Sequence, residues 1–496
     1  MHYGASTPSR TQSSSAIEWQ LEEKNLKTYP HFDPIMSVEA AEALAKDHNR
    51  VAKHTFYPFL RFKQRWTKYV KRGGKGKVKE RPIRYASRAD AYIFARYRHI
   101  LAERYEQELA ARALSDVVLA YRRVLRPDGR GKCNIDHAFD AINIIRSHGN
   151  CYAITLDISS FFESLDHVIL KSLWCRMLGE PRLPDDHFQV FKAITSYAVV
   201  DKEAVYERLG HYGGKLSSSG KPIKGFLTPH KSIPKHLCTG KIFREKIAGG
   251  DGSRSLIKKN LKPYGIPQGA PISDLLANLY LLDFDDSATA IVKSLGGTYM
   301  RYSDDILIVL PCDEDTAFKT EKEIRTLITG FGKKLKIKEE KSSIFRFTKL
   351  GDSQEFERVL PKLGSNGLEY LGFRYDGRSV YLRDSTLSNL RRKMVRASRA
   401  AAIRHVIRYP DKDVATLKST FNHDELATKF RRVENFHEKV DDPRQWTFWT
   451  YARRASETFG GLGWPILRQL RGHRALLRKW ANEEIDLAVK RRTTKP

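Results

Sequence analysis

The chain carries 88 Lys and Arg against 58 Asp and Glu over 496 residues, a formal charge of +30, with 41% hydrophobic residues and 24 Phe, 22 Tyr and 7 Trp. Such a chain supports packed cores in about two to four domains or subdomains, which excludes wholesale disorder. Its charge points to a polyanion, first of all a nucleic acid, with a basic membrane-surface protein as the rival reading. No apolar run approaches the ~18–20 residues of a spanning helix, and the first residues lack the apolar stretch of a signal peptide. Cys133, Cys151, Cys175, Cys238 and Cys312 are scattered and never in C-x-x-C spacing. The expectation is a cytoplasmic protein with reduced thiols, no structural zinc and no membrane partner.

Residues 1–20, rich in Ser and Thr, read as a disordered tail, and 21–150 as an N-terminal extension with helices around a basic, Gly-rich hairpin, KYVKRGGKGKVKERPIRYASR. That hairpin either closes over phosphates or is a solvated surface loop. Cys151 to Asp157 (CYAITLD) reads as a buried strand ending in a carboxylate, with a helix soon after. Residues 200–261, polar and weakly periodic, look like a long inserted loop or small subdomain between 151–199 and 262–384. A helix begins near Ser273, its expected N-cap, and Leu275, Leu276, Leu279 and Tyr280 form its packing face. Thr298 to Leu310 (TYMRYSDDILIVL) reads as two strands joined by a tight Ser-Asp turn. From about Ser385 the pattern is helical and basic, with Ile466, Leu470, Leu477 and Trp480 on one amphipathic helix.

Carboxylates at the ends of apolar strands, as at Asp157 and at Asp304 with Asp305, cost several kcal/mol unless a metal or hydrogen bonds compensate. Three carboxylates converging from adjacent strands can hold two Mg²⁺ ions about 3.5–4 Å apart, which activates a 3′-hydroxyl and stabilises leaving pyrophosphate. The Asp-Asp pairs at 185–186, 285–286 and 441–442 read instead as helix caps or solvated turns.

The ordered series LDISSFF (156–162), GIPQGAPIS (265–273), RYSDDILIVL (301–310), LKIKEEKSSI (335–344) and LEYLGFRY (368–375) resembles the successive palm motifs of reverse transcriptases, over roughly Arg81 to Tyr375. Within that family the YSDD and PQGAPIS strings are similar to bacterial enzymes: group II intron, retron, and antiphage unknown-group and abortive-infection types. The resemblance implies an α+β right-hand polymerase with fingers, palm and an α-helical thumb over 385–496. It implies a metal-binding triad of Asp157, Asp304 and Asp305, with the Ile158 backbone as a further ligand and two Mg²⁺, or Mn²⁺, as cofactors. Phe162, five residues after Asp157, takes the place of the side chain that clashes with a ribose 2′-hydroxyl; the plain alternative is a core Phe beside Phe161.

By the same resemblance Gln268 and Gly269 support the templating pair and incoming nucleotide, beside Tyr302 of the YSDD string. Lys341 lies near the leaving phosphates, where its ammonium neutralises or protonates them. ERPIRYASRADAYIFARY resembles the fingers motif for the triphosphate, with Arg81, Arg84 and Arg88 as candidates. It departs from the group II pattern at Ala89-Asp90, which leaves the choice among the arginines open. Leu371, Gly372 and Phe373 resemble the primer-grip hairpin, or are simply a turn.

No zinc-bearing nuclease pattern follows Tyr375. With the insert and the altered fingers motif, this favours a bacterial antiphage reverse transcriptase over a retron or intron enzyme; the intact carboxylates argue against a catalytically silent RNA-binding module. Its implied partners are a structured non-coding RNA as template, dNTPs and a DNA product, with Trp446, Trp449 and Tyr451 available for base stacking, core packing being the commoner use of such aromatics. Priming from a protein hydroxyl or a nucleic acid, and a homo-oligomer, stay open.

Overall fold

The computed structural model describes residues 18–67, 78–217, 220–362, 364–428, 430 and 447–493. Most of the expected tail, the tip of the basic hairpin, Asp441-Asp442 and Trp446 lie outside the described residues.

Helices and four sheets make an α+β fold. In the first sheet β1 (Phe59–Thr67) pairs antiparallel with β2 (Val78–Tyr85) and parallel with β4 (Ala198–Asp201), and β7 (Lys258–Lys259) closes the order β2-β1-β4-β7. The second, central sheet has the order β11-β10-β3-β9-β8, from β3 (Cys151–Asp157), β8 (Thr298–Tyr302), β9 (Asp305–Leu310), β10 (Ser343–Leu350) and β11 (Ser353–Leu360). β5 (Tyr212–Leu216) and β6 (Pro222–Phe226) form a separate hairpin; β12 (Leu368–Tyr370), β13 (Phe373–Tyr375) and β14 (Val380–Leu382) form the fourth sheet.

The central sheet is covered on both faces at β3 and β9, which is why these two strands read as continuous apolar runs. Side chains alternate across a strand. Ile154, Leu156, Ile306, Ile308 and Leu310 therefore join the core built with helices Arg88–Ala111, Ser273–Tyr280 and Leu282–Ser294. Ala153, Leu307, Val309, Phe345 and Phe347 enter a second core with helix Asn134–His148, the fourth sheet and the C-terminal helices.

One expectation left open is decided in three dimensions and two others change. The segment 200–261 is no loose loop: Val200, Val205, Tyr206, Ile233, Leu237, Cys238 and Ile247 pack with Phe32 and Leu60 into a core of their own, and its two ends lend strands to the first sheet. The single C-terminal amphipathic helix is two, Trp464–Arg468 and His473–Thr493, because Gly472 between them is left-handed at φ 79. Ser273 does not cap its helix; its buried hydroxyl donates to the Pro267 carbonyl at 2.8 Å. Leu275, Leu276, Leu279 and Tyr280 are buried as expected.

The Asp-Asp pairs also differ from one another. Asp186 is buried, accepting from Tyr97 Oη at 2.5 Å and facing His48 Nδ1 at 2.6 Å. Asp285 has no exposed surface and pairs with Arg301, so it is neither a cap nor solvated. Among the described residues no helix is long and apolar enough to cross a membrane.

Candidate active site

The antiparallel register of β3 and β9 places Asp157 directly opposite Asp305, at the last pair of that ladder. Across β8 and β9, Tyr302 pairs with Asp305, leaving Ser303 and Asp304 as a two-residue turn. Ser303 is left-handed at φ 61, a conformation uncommon outside glycine. The Asp304 carbonyl accepts the Ile158 N–H at 2.9 Å, tying the turn to the residue after Asp157. Two strand ends and one turn thus gather the three carboxylates, and the Lys341 ammonium reaches Asp157 from a one-turn helix, Glu339–Lys341.

The carboxylates repel one another. Asp305 is pushed up to about 6, by desolvation first and then by the charges of Asp304 and Asp157. Asp304 is also raised, by burial first and by Asp157. A pKa above the ordinary value favours the folded state only when the group is protonated. That contribution is present below about pH 4 and is lost as pH rises through 6. Asp305 opens toward solvent at the cleft, so screening reduces the cost of its charge to about 1 kcal/mol. Asp305→Asn in chelator is therefore expected to raise the melting temperature at pH 7 by roughly 1–2 °C, with the difference vanishing near pH 4. Thermal melts at both pH values check it; no difference at pH 7 would exclude carboxylate crowding.

Among the described residues no group of three or more His, Cys, Asp or Glu side chains stands at metal-binding spacing. What fits a divalent ion is the donor chemistry: oxygen ligands from Asp157 and Asp305 face each other across the ladder, carry mutual repulsion, and have drawn in one cation, Lys341. Hard oxygen donors suit Mg²⁺. Ile158 is buried with its N–H already engaged by Asp304, which leaves its carbonyl as the ligand atom in question.

The arginines separate by environment. Arg81 is exposed, and its charge acts on Asp304. Arg84 is buried, meets Glu163 Oε1 at 3.3 Å and lies over the Tyr197 ring, while its Nε and Nη1 have no protein partner. Arg88 goes elsewhere. It has no exposed side-chain surface, and its guanidinium binds the Lys27, Tyr29, Asp33 and Lys235 carbonyls and Asp33 Oδ1. It fastens the N-terminal extension and the insert to helix Arg88–Ala111, and leaves no N–H for a phosphate.

Gln268 accepts the Arg84 N–H at 3.0 Å, and a Cβ on Gly269, at φ 114, would stand 2.3 Å from the Arg84 carbonyl. Only glycine lets this loop lie against β2. Gly269→Ala is expected to cost about 1–3 kcal/mol and to displace Gln268. An unchanged melting temperature would mean that the approach is looser. Of the paired aromatics, Phe161 is the core residue, whereas Phe162 is half-buried at the edge of the same core.

Tyr302 is half-buried against the second core. Leu371 and Gly372, at φ 46 and 95, form the two-residue turn between β12 and β13, as a tight hairpin requires. Phe373 is buried against Tyr451 and Phe459, so it anchors the hairpin from beneath. Tyr451 is used the same way, its hydroxyl bonded to Asn134 Nδ2 at 2.9 Å; Trp449 is half-buried.

Sequence reasoning missed several neighbours. Tyr121 meets the Ser303 hydroxyl at 3.0 Å and feels the charges of Asp304 and Arg81. A cavity of about 210 Å³ beside Asp157 and Asp305 is lined by Lys341, Arg358, Arg383 and Tyr370. The Tyr370 hydroxyl is buried without a protein partner. Tyr121, Arg358 and Arg383 lie outside every motif, and only the fold brings them to this recess; Tyr370 lies within LEYLGFRY but carries no signal that marks it as a neighbour of the carboxylates.

No protein-family model and no curated protein matches the chain. Among solved structures it is similar to apo telomerase from Candida tropicalis, with 11% identity, 86% of this chain and 68% of that chain covered, and a TM-score of 0.36. Telomerase from Candida tropicalis in complex with a TWJ fragment of telomeric RNA gives 12%, 95% and 69%, and 0.33. The corresponding complex from Candida albicans gives 12%, 89% and 67%, and 0.34.

Proposed function

We propose that this chain is an RNA-directed DNA polymerase that copies a structured non-coding RNA into DNA from dNTPs, within bacterial defence against phage. The observation that carries the polymerase reading is the pairing of Asp157 with Asp305 across β3 and β9, with Asp304 on the adjoining turn. Asp157, Asp304, Asp305 and the Ile158 carbonyl would hold Mg²⁺, which supplies activation of the attacking 3′-hydroxyl and charge stabilisation of the leaving pyrophosphate. Lys341 Nζ, which meets Asp157, would neutralise or protonate the leaving phosphates. Arg81 and the buried, unpartnered Nε and Nη1 of Arg84 suit a triphosphate, and the loop at Gln268 and Gly269 would support the nascent pair.

The basic helix Asp384–Arg408 presents exposed Arg391, Lys393, Arg396, Arg404 and Arg408, which suits a phosphate backbone. The defence role rests on the resemblance of YSDD and PQGAPIS to bacterial enzymes. The test is incorporation of labelled dNTPs against NTPs by the purified protein with its co-purifying RNA. RNA-templated dNTP incorporation is expected; incorporation of NTPs alone, or of neither, would overturn the reading. Sequencing the RNA and DNA bound to the protein from phage-challenged cells tests the biological role: a DNA product complementary to one bound RNA is expected.

A further inference from the structure

A polar knot sits in the apolar interior behind the Ser303-Asp304 turn. Arg301, on β8, and Asp285, on helix Leu282–Ser294, have no exposed side-chain surface. Arg301 Nε and Nη2 meet the two Asp285 oxygens at 2.7 and 2.6 Å. Its Nη1 donates to the Ser303 carbonyl at 2.9 Å and to Asn278 Oδ1 at 3.1 Å. Asp285 also accepts the Tyr299 hydroxyl at 2.9 Å, and Asn278 Nδ2 donates to the Ala120 carbonyl at 2.8 Å. The Arg301 main chain is held too, by Val117 O at 2.8 Å and Leu119 N at 2.9 Å.

A buried ion pair is a poor device for stability alone, since apolar residues of similar volume often do as well or better in its place. A guanidinium fork does something an apolar side chain cannot: anchored on one carboxylate, it fixes a second acceptor in direction and distance. Here that acceptor is the carbonyl of the left-handed residue just ahead of Asp304 and Asp305. We infer that Arg301, oriented by Asp285 and Asn278, is a positioning residue: it sets the Ser303 carbonyl, and through it the placement of Asp304 and Asp305 for a divalent cation. This inference rests on the proposed reading of the same site.

The test is the full-length Arg301→Met/Asp285→Leu double variant, which removes both charges together and leaves neither buried alone. Its melting temperature is expected to stay close to that of the wild type. Its Mn²⁺ dissociation constant, measured by EPR of the free ion without substrate, is expected to rise about tenfold or more. The kcat for single-dNTP addition should fall by a similar factor, with KM for dNTP within about twofold. Wild-type Mn²⁺ binding in the folded variant would overturn the inference. If the double variant does not fold, Arg301→Lys, which keeps the charge but loses the fork, carries the same comparison. Should the wild type bind Mn²⁺ yet add no nucleotide, the polymerase reading falls; weaker Mn²⁺ binding by the variant would still support the positioning role.

Discussion

Asp304→Ala is expected to lower nucleotide incorporation about 10³-fold or more while the protein stays folded and keeps its RNA. The turn explains why both halves hold. The backbone of Asp304 supports the fold, through its carbonyl on Ile158 N at 2.9 Å, and alanine preserves that bond. The side chain contributes charge to a crowded recess, where it helps push Asp305 up to about 6. Its loss relieves repulsion, so the variant should melt no lower than the wild type in chelator. Loss of activity without loss of stability marks a functional carboxylate, whereas a structural one would give the reverse. Single-turnover addition of one labelled dNTP, beside a thermal melt, separates the two. Incorporation at the wild-type rate would remove Asp304 from the reaction.

Phe162→Ala is expected to admit ribonucleotides, narrowing the preference for dNTPs by about 10–100-fold. Phe161 fills the core position, whereas Phe162 is half-buried at the edge of that core. A ring in that place excludes a 2′-hydroxyl by volume and leaves it without a hydrogen-bond partner. The ratio of kcat/KM for a dNTP and its ribonucleotide counterpart is the readout. An unchanged ratio, together with a lowered melting temperature, would make Phe162 a packing residue and place the discrimination elsewhere.

The legible parts of this chain share a physical origin. β3 ends at Asp157, and β8 and β9 flank the Ser303-Asp304 turn, as the apolar runs indicate, because a buried strand needs unbroken apolar character and a tight turn needs its own residues. The insert, the C-terminal helices and Asp285 were not legible in the same way. The insert draws its core partly from Phe32 and Leu60, far away in the chain. The C-terminal pattern continues across residues 469–472, where the helix ends in tight turns and Gly472 is left-handed. Asp285 sits in an Asp-Asp pair that its spacing does not set apart from the others, and it is buried with Arg301, which arrives from the strand β8.

The three arginines of the fingers-like segment show the same division. By type and spacing Arg81, Arg84 and Arg88 are equivalent candidates for phosphate. Tertiary packing encloses Arg88 with five carbonyl and carboxylate acceptors, leaves Arg84 half-satisfied beside the Gly269 loop, and exposes Arg81 near Asp304. Composition and motif order by themselves determined that the chain is strongly basic and singled out Asp157, Asp304 and Asp305, which two strand ends and one turn bring together. Only the tertiary structure decided which cations face that centre and which are enclosed in the framework. A side chain's charge is local, but its desolvation and its partners are set by segments far away in the sequence.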